Sequence, residues 1–176
     1  MLDITLRPSQ IEHFDKLYDI LSRSFYAFDL SMLGTGKTYI GLKMYKKLGL
    51  PHLVVIAPVS VLNKWDELTE GEYQGYSFAA FRSTSKKNKL LDFETHPELP
   101  RCCYTPTEYT KRLAQQGVLL VIDESQNLKN NTLQNVAVQT FIRELKKYPH
   151  NKVLLLSGSP FDKREHALNY ITLLGL

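Results

Sequence analysis

Short apolar runs of strand length recur along the chain, and amphipathic stretches of helical length separate them. The clearest run is at residues 118–122, where five consecutive apolar residues indicate a strand that is buried on both faces. Similar runs predict strands at residues 25–30, 53–57 and 152–156, and weaker ones at 76–81 and 102–105.

Between these runs, apolar residues recur every three or four positions, which predicts helices. The predicted helices begin at Pro8 or Ser9 and at Pro58, and further helices cover residues 38–48, 107–115, 132–147 and 164–174. Because strands and helices alternate throughout, the pattern favours an α/β fold with a mainly parallel sheet and helices on both faces.

Two polar segments interrupt the alternation. Residues 82–89 are polar and basic, and they are interpreted as a solvated loop and helix face, with a phosphate-contacting patch as the alternative. Residues 94–100 contain two prolines and are interpreted as a surface connection.

Composition narrows the class of protein only a little. The 176 residues suffice for one sizeable α/β domain, and the net charge of +4 mildly favours a polyanionic partner. The two cysteines, Cys102 and Cys103, are adjacent, which suits neither a disulfide between them nor a zinc site. We therefore expect reduced cysteines in an intracellular protein that has neither a membrane span nor a signal peptide.

The strand at 25–30 leads into a glycine-containing loop and then into a helix, which is the context that a phosphate-binding P-loop requires. Gly34 and Gly36 allow the backbone N–H groups to approach phosphate oxygens, and the new helix directs its positive end at the same anion. Lys37 can reach the β- and γ-phosphates, and Thr38 offers a hydroxyl to Mg²⁺.

The alternative is a glycine turn before an ordinary amphipathic helix. The strict P-loop pattern requires glycine at position 31, where this chain has Ser31. The loop sequence alone therefore does not distinguish a P-loop from an ordinary glycine turn. The residues at the ends of the other predicted strands add to the evidence.

The buried run at 118–122 continues directly into Asp123 and Glu124. In an open α/β sheet, ligand chemistry lies at the carboxyl ends of the strands. Asp123 is expected to hold Mg²⁺ through water, as a Walker-B aspartate does, and Glu124 to polarise the attacking water as general base. Two exposed acids at a strand end would be the plainer explanation, but the P-loop upstream argues against it.

These segments resemble the first RecA-like lobe of superfamily-two helicases, most of all the Swi/Snf-type DNA-dependent ATPases. Residues 34–38 are similar to motif I, and residues 123–130 to the family's Asp-Glu-Ala-His box with its Leu-Lys-Asn continuation. The resemblance also covers residues 57–65 as motif Ia, 157–160 as motif III and, loosely, 104–109 as region Ib. It implies a RecA-like P-loop NTPase fold for residues 1–176.

The resemblance implies further site residues. Residues 6–10 are similar to the adenine-reading Q motif, so Gln10 is expected to read the adenine edge with Arg7 beside it. Gln126, within the acidic box, is expected to join the catalytic group of Lys37, Asp123 and Glu124. The residues expected to hold the nucleotide in the P-loop are Leu33, Gly34, Thr35, Gly36, Lys37 and Thr38.

Two further sets complete the expected site. In the family, motif Ia contacts the nucleic-acid backbone, which here assigns that contact to Pro58, Ser60 and Lys64. Motif III links the nucleotide to the strand-contacting surface, which assigns coupling to Ser157, Gly158 and Ser159. RecA-like sheets also insert a strand between the two Walker strands, so the strand near 153–157 is expected between those at 25–30 and 118–122.

The sequence thus predicts the ATP-binding lobe of a nucleic-acid-dependent ATPase or translocase that uses ATP and Mg²⁺ and moves on DNA. Duplex DNA is the favoured partner and RNA stays open. A second RecA-like lobe is expected to complete the site, so the chain is interpreted as an excised domain with weak activity on its own.

Two alternatives stay open: a stand-alone nucleotide-binding or assembly module, and a small-molecule P-loop kinase, which the hydrolytic pair Asp123 and Glu124 disfavours. The chain also departs from the family, because Ser31-Met32 replaces an acidic pair and Ser125-Gln126 replaces Ala-His. These departures suggest a divergent branch, of viral or phage type.

Overall fold

The strand that the apolar pattern predicts most clearly, Val118–Asp123, lies in the middle of the main sheet, and all six of its residues are buried. The computed structural model describes residues 2–32, 34–83, 89–94, 103–130, 132–159 and 163–175. In these ranges the strands are β1 (Tyr26–Asp29), β2 (His52–Ala57), β3 (Gln74–Ser77), β4 (Leu91–Glu94), β5 (Cys103–Pro106), β6 (Val118–Asp123) and β7 (Lys152–Leu156).

Five of these strands form one parallel sheet in the order β1-β7-β6-β2-β3. The strand near 153–157 therefore lies between the strands at 25–30 and 118–122, as predicted. Because all five strands run in the same direction, their carboxyl ends meet at one edge of the sheet, where α/β proteins place ligand chemistry.

The helices are α1 (Pro8–Arg23), α2 (Lys37–Leu48), α3 (Val59–Thr69), α4 (Phe78–Phe81), α5 (Glu108–Gln116), α6 (Leu133–Lys146) and α7 (Arg164–Leu174), with a 3₁₀ turn at Ser125–Leu128. Within the ranges that the structure describes, no helix combines the length and the apolar character that crossing a membrane requires.

The helices cover both faces of the sheet and create two apolar layers. In one layer, α1, α2 and α3 contribute Phe14, Leu42 and Trp65. In the other, α6 and α7 contribute Phe141 and Leu173. This arrangement confirms the predicted α/β architecture, and it explains why the central strands are apolar at every position rather than at alternate ones.

The prediction of a single strand at 76–81 is correct for Tyr76 and Ser77 and wrong from Phe78 onward. β3 ends at Ser77, whose side chain accepts a hydrogen bond from Ala80 N at 3.1 Å and so caps the short helix α4. Phe78 and Phe81, three residues apart, both turn into the core, which a helix allows and a strand does not.

A small antiparallel pair, β4 with β5, stands apart from the main sheet. The sequence pattern predicts β5 but not β4, whose strand pairing is with β5 alone. Tyr104 on β5 packs into the core layer that Phe141 also occupies. Cys102, the interior of the basic stretch at 84–88 and most of the connection at 94–100 lie outside the described residues.

Candidate nucleotide-binding site

Three segments with the predicted chemistry meet at the carboxyl edge of the sheet. Leu156 of β7 is in register with Asp29 of β1 on one side and with Asp123 of β6 on the other. Ser157, the residue after β7, donates its backbone N–H to the Asp29 carbonyl at 3.0 Å. The P-loop, the acidic pair and the 157–159 segment therefore start from one row of residues.

The P-loop turns on two glycines with left-handed backbone, Gly34 at φ 78° and Gly36 at φ 86°. The largely buried Lys37 folds back over the loop, and its Nζ donates to the carbonyls of Ser31 at 2.9 Å and Met32 at 3.0 Å. Its ammonium group therefore lies on the loop itself, within reach of any anion that the loop amides bind. Leu33 lies outside the described residues.

Asp29, at the end of β1, contacts the start of this loop, and the sequence analysis missed this contact. Its buried Oδ1 accepts the Ser31 N–H at 2.9 Å and lies 2.9 Å from Nε2 of His13 on α1. The Ser31 and Thr35 hydroxyls are also 2.9 Å apart, across the loop. These bonds connect the described part of the loop to α1 and to the end of β1.

Gln10 ties α1 to the other side of the loop. Its Nε2 donates to the Thr35 carbonyl at 2.7 Å, and its Oε1 accepts from the Arg7 N–H at 2.8 Å. Arg7 and Gln10 share a cavity of about 270 Å³ with the loop and with Tyr39. The two predicted adenine-side residues are thus together, beside the P-loop.

The Asp123 carboxylate accepts three hydrogen bonds within the site. Its Oδ2 accepts from Thr38 Oγ1 at 3.2 Å and from Trp65 Nε1 at 3.0 Å, and its Oδ1 accepts from the Glu124 N–H at 3.0 Å. Burial raises the pKa of the Asp123 carboxyl above its ordinary value, while the hydrogen bonds from Trp65 and Thr38 act in the opposite direction.

Glu124 begins a polar chain that leads to β7. Its backbone is left-handed, with φ 55°, which is uncommon for a residue other than glycine and turns the chain out of β6. Its carboxylate accepts a hydrogen bond from Gln126 Nε2, and Gln126 Oε1 accepts from Ser157 Oγ at 2.7 Å. One amide side chain thus connects the predicted base to the predicted coupling segment.

A second cavity, of about 390 Å³, opens in front of the P-loop. The P-loop lysine and threonine, Asp123 and Glu124 line it together with Ser60 and Lys64 of α3. Lys64 Nζ also lies 2.8 Å from Glu67 and 5.7 Å from the centre of the Tyr39 ring. The start of α3, where nucleic-acid contact is predicted, therefore borders the same cavity as the P-loop.

Comparisons with known proteins agree with this geometry at the level of the fold. No protein-family model matches the sequence, and no curated protein matches it significantly. The Sulfolobus solfataricus SWI2/SNF2 ATPase core, solved in complex with dsDNA, superposes on 97% of this chain with a TM-score of 0.66 and 22% sequence identity. The Pyrococcus furiosus Hef helicase domain superposes on 98% of it with a TM-score of 0.54 and 18% identity.

This chain has the fold of a RecA-like helicase lobe. It spans 36% of the length of the SWI2/SNF2 chain and 39% of that of the Hef chain. The resemblance inferred from the motifs is thereby confirmed for the fold, and no comparison bears on a viral or phage origin.

The donors in the lobe fit a magnesium ion. Thr38 offers a hydroxyl and Asp123 a carboxylate, both of them oxygen ligands that Mg²⁺ prefers. No group of three or more His, Cys, Asp or Glu side chains that could hold a metal occurs in the ranges given above. A magnesium ion here would therefore also depend on phosphate and water oxygens, which is its usual situation at nucleotide sites.

The lobe brings most of the sequence-predicted site residues into one edge of the sheet, while their roles stay predictions. Pro58 precedes α3, and Ser159 N donates to Ser157 Oγ at 3.3 Å beside Gly158. The sequence analysis missed the contributions of Asp29 and His13, and it included Trp65 in motif Ia without predicting a contact with Asp123. No motif spacing indicates a side-chain contact of this kind, because it arises only from tertiary packing.

Proposed function

We propose that this chain is the ATP-binding lobe of a nucleic-acid-dependent ATPase or translocase, which couples ATP hydrolysis to movement on DNA. The observation that carries the proposal is the meeting of Thr38 and Asp123 in front of a P-loop whose lysine already lies over the loop. A hydroxyl and a carboxylate at that spacing suit a metal–triphosphate complex, and the helicase-type fold supports the same assignment.

In this proposal, the P-loop and α1 bind the nucleotide. The loop amides and the N-terminus of α2 receive the phosphates, and Lys37 exchanges its two carbonyl partners for phosphate oxygens. Gln10 and Arg7 form the side of the cavity that takes the adenine. Thr38 and Asp123 would hold Mg²⁺, Asp123 through water, and the bound ion would supply positive charge beside the phosphates.

Glu124 acts as the general base for the attacking water. Its carboxylate lines the cavity beside Asp123, and the hydrogen bond from Gln126 fixes its orientation. Because Gln126 also accepts from Ser157, a change at Glu124 when the water is activated reaches the 157–159 segment through one side chain. We assign coupling between the nucleotide and the nucleic-acid surface to this route.

Nucleic-acid contact is assigned to the start of α3, at Pro58, Ser60 and Lys64. A helix N-terminus with a hydroxyl and a cation suits phosphate oxygens and reads no base sequence. Lys64 is a cation at neutral pH, and its hydrogen bond with Glu67 raises its pKa further. The similar SWI2/SNF2 core was solved with dsDNA, which supports duplex DNA as the partner.

The test measures two affinities of the same chain: Mg·ATP by calorimetry, and duplex DNA, single-stranded DNA and RNA of equal length by fluorescence anisotropy. The proposal predicts that both ATP and a nucleic acid bind, with duplex DNA preferred. ATP binding with no nucleic-acid binding at low salt would contradict the motor assignment and leave a stand-alone nucleotide-binding module. Absence of ATP binding would overturn the proposal entirely.

A further inference from the structure

Trp65, the one tryptophan of the chain, lies completely buried between α3 and the sheet. Its ring packs against α2 at Gly41, where a Cβ atom would lie only 3.0 Å from Trp65 Cη2. On its other side it contacts Tyr73, with ring centres 6.3 Å apart. The indole is therefore closely packed, and a side chain at residue 41 would press on it.

The polar end of this ring points at the site. Trp65 Nε1 donates to Asp123 Oδ2 at 3.0 Å, and both groups are almost entirely shielded from water. An indole N–H can only donate, so it stabilises a carboxylate and gives Asp123 a fixed orientation. The same oxygen accepts from Thr38 at 3.2 Å, so Trp65 and Thr38 hold it from two helices.

We propose that Trp65 is a positioning residue for the Mg²⁺-dependent part of nucleotide binding. It holds the Asp123 carboxylate in the orientation that a hydrated metal ion requires, and it links α3, the helix assigned to nucleic acid, to the metal side of the site. This inference rests on the proposed ATP-binding function. It adds that the core of the lobe, and not the P-loop alone, determines how strongly Mg²⁺ promotes binding.

The Trp65→Phe variant tests the inference, because it keeps an aromatic ring and removes the N–H donor. ATP affinity is measured by calorimetry in EDTA and again with excess Mg²⁺. In EDTA we expect the variant and the parent chain to agree within about twofold, because the P-loop contacts persist. With Mg²⁺ we expect about a tenfold lower affinity for the variant, the usual effect of losing a hydrogen bond to a charged group.

Phe141→Leu provides a matched control, since Phe141 is equally buried but lies in the opposite core layer. It should lose stability without changing the gain in affinity that Mg²⁺ gives. If Trp65→Phe shows the same Mg²⁺-dependent gain as the parent chain, the inference is wrong while the proposed function stands. If the parent chain binds no ATP at all, the proposed function fails first.

A second measurement avoids the variant in case it does not fold. Because the chain has one tryptophan, its ¹⁵N–¹H spectrum contains one indole cross-peak. We expect that peak to shift when ATP is added with Mg²⁺, and to shift far less when ATP is added in EDTA. An indole peak that responds equally to both additions would overturn the inference.

Discussion

Thr38 Oγ1 and Asp123 Oδ2 lie 3.2 Å apart, although 85 positions separate the two residues in the sequence. The contact exists because β1 and β6 both flank β7, so that the segments following them open at the same edge of the sheet. The hydroxyl and the carboxylate together define the metal side of the proposed site.

The first prediction concerns the pH dependence of stability in the metal-free and nucleotide-free protein. Burial raises the pKa of Asp123, so the folded state holds this proton up to a higher pH than the unfolded state does. In that interval the folded state binds more protons, and rising pH lowers the free energy of unfolding. Urea unfolding in EDTA from about pH 4 upward should show the parent chain losing stability relative to Asp123→Asn.

A constant difference between the two chains over this pH range would contradict the first prediction. Added Mg·ATP should reverse the order of stability at neutral pH, since only the parent chain has the full metal-side donor set. The buried Asp123 carboxylate would lower the stability of the protein without ligand and would stabilise the complex with Mg·ATP. Such a trade-off between stability and function is common at functional sites.

The second prediction concerns Asn151, a fully buried residue before β7. Its Oδ1 accepts from Val118 N at 2.7 Å, and its Nδ2 donates to the carbonyls of Ala114 at 3.0 Å and Leu145 at 2.9 Å. Asn151→Ala would leave the buried Val118 N–H without its partner and would remove two further hydrogen bonds, to carbonyls that keep other contacts. It should therefore destabilise the lobe by about 2 kcal/mol in urea unfolding. The exposed Gln115→Ala serves as the control, and equal stability of both variants would refute the prediction.

The elements with strong periodicity could be predicted from sequence alone. β6 and β7 were predicted correctly because every residue in them is apolar apart from a polar end, and α2 because a P-loop must open a helix. The β3–α4 boundary was not, since the capping contact of Ser77 outweighs the strand propensity of the aromatic residues that follow. β4 was missed because its pairing with β5 is tertiary.

The site divides in the same way. The motifs located Lys37 and Asp123, because phosphate chemistry constrains residue type and spacing within a short segment. Trp65 and Asn151 act through contacts between elements far apart in sequence, and their neighbours in the chain carry no trace of those contacts. The sequence therefore indicates the residues of the proposed site better than the residues that pack against them.

The third prediction concerns nucleic-acid binding at the start of α3. Lys64→Ala, measured without nucleotide, should weaken duplex DNA binding and reduce the slope of affinity against salt by about one, the signature of one lost phosphate contact. Lys47→Ala is the matched control, because it also removes one positive charge but not from α3. Lys47 lies on α2, over the Tyr18 ring. Parent-chain affinity that does not change between low and moderate salt would show that phosphate contacts are not involved.

The fourth prediction is that this chain alone hydrolyses ATP very slowly, with little stimulation by DNA. In the described ranges, Lys37 and Lys64 line the 390 Å³ cavity in front of the P-loop, and no arginine lines it. The helicase resemblance implies that arginines from a second lobe complete the charge around the γ-phosphate, and such a residue contributes roughly 10³–10⁵ in rate. A phosphate-release assay with and without DNA measures it, and turnover near roughly 10 per second would show a complete site.

Binding of Mg·ATP at the P-loop edge of the lobe is tested by calorimetric titration of three variants beside the parent chain. Lys37→Ala should bind much more weakly, because the proposed role of Lys37 is to contact the phosphates in the ground state. Glu124→Gln should bind like the parent chain, because Glu124 matters when water attacks. The control Lys47→Ala, on the same helix, should also bind like the parent. Equal affinity of Lys37→Ala and the parent chain would show that the P-loop does not bind the phosphates of Mg·ATP.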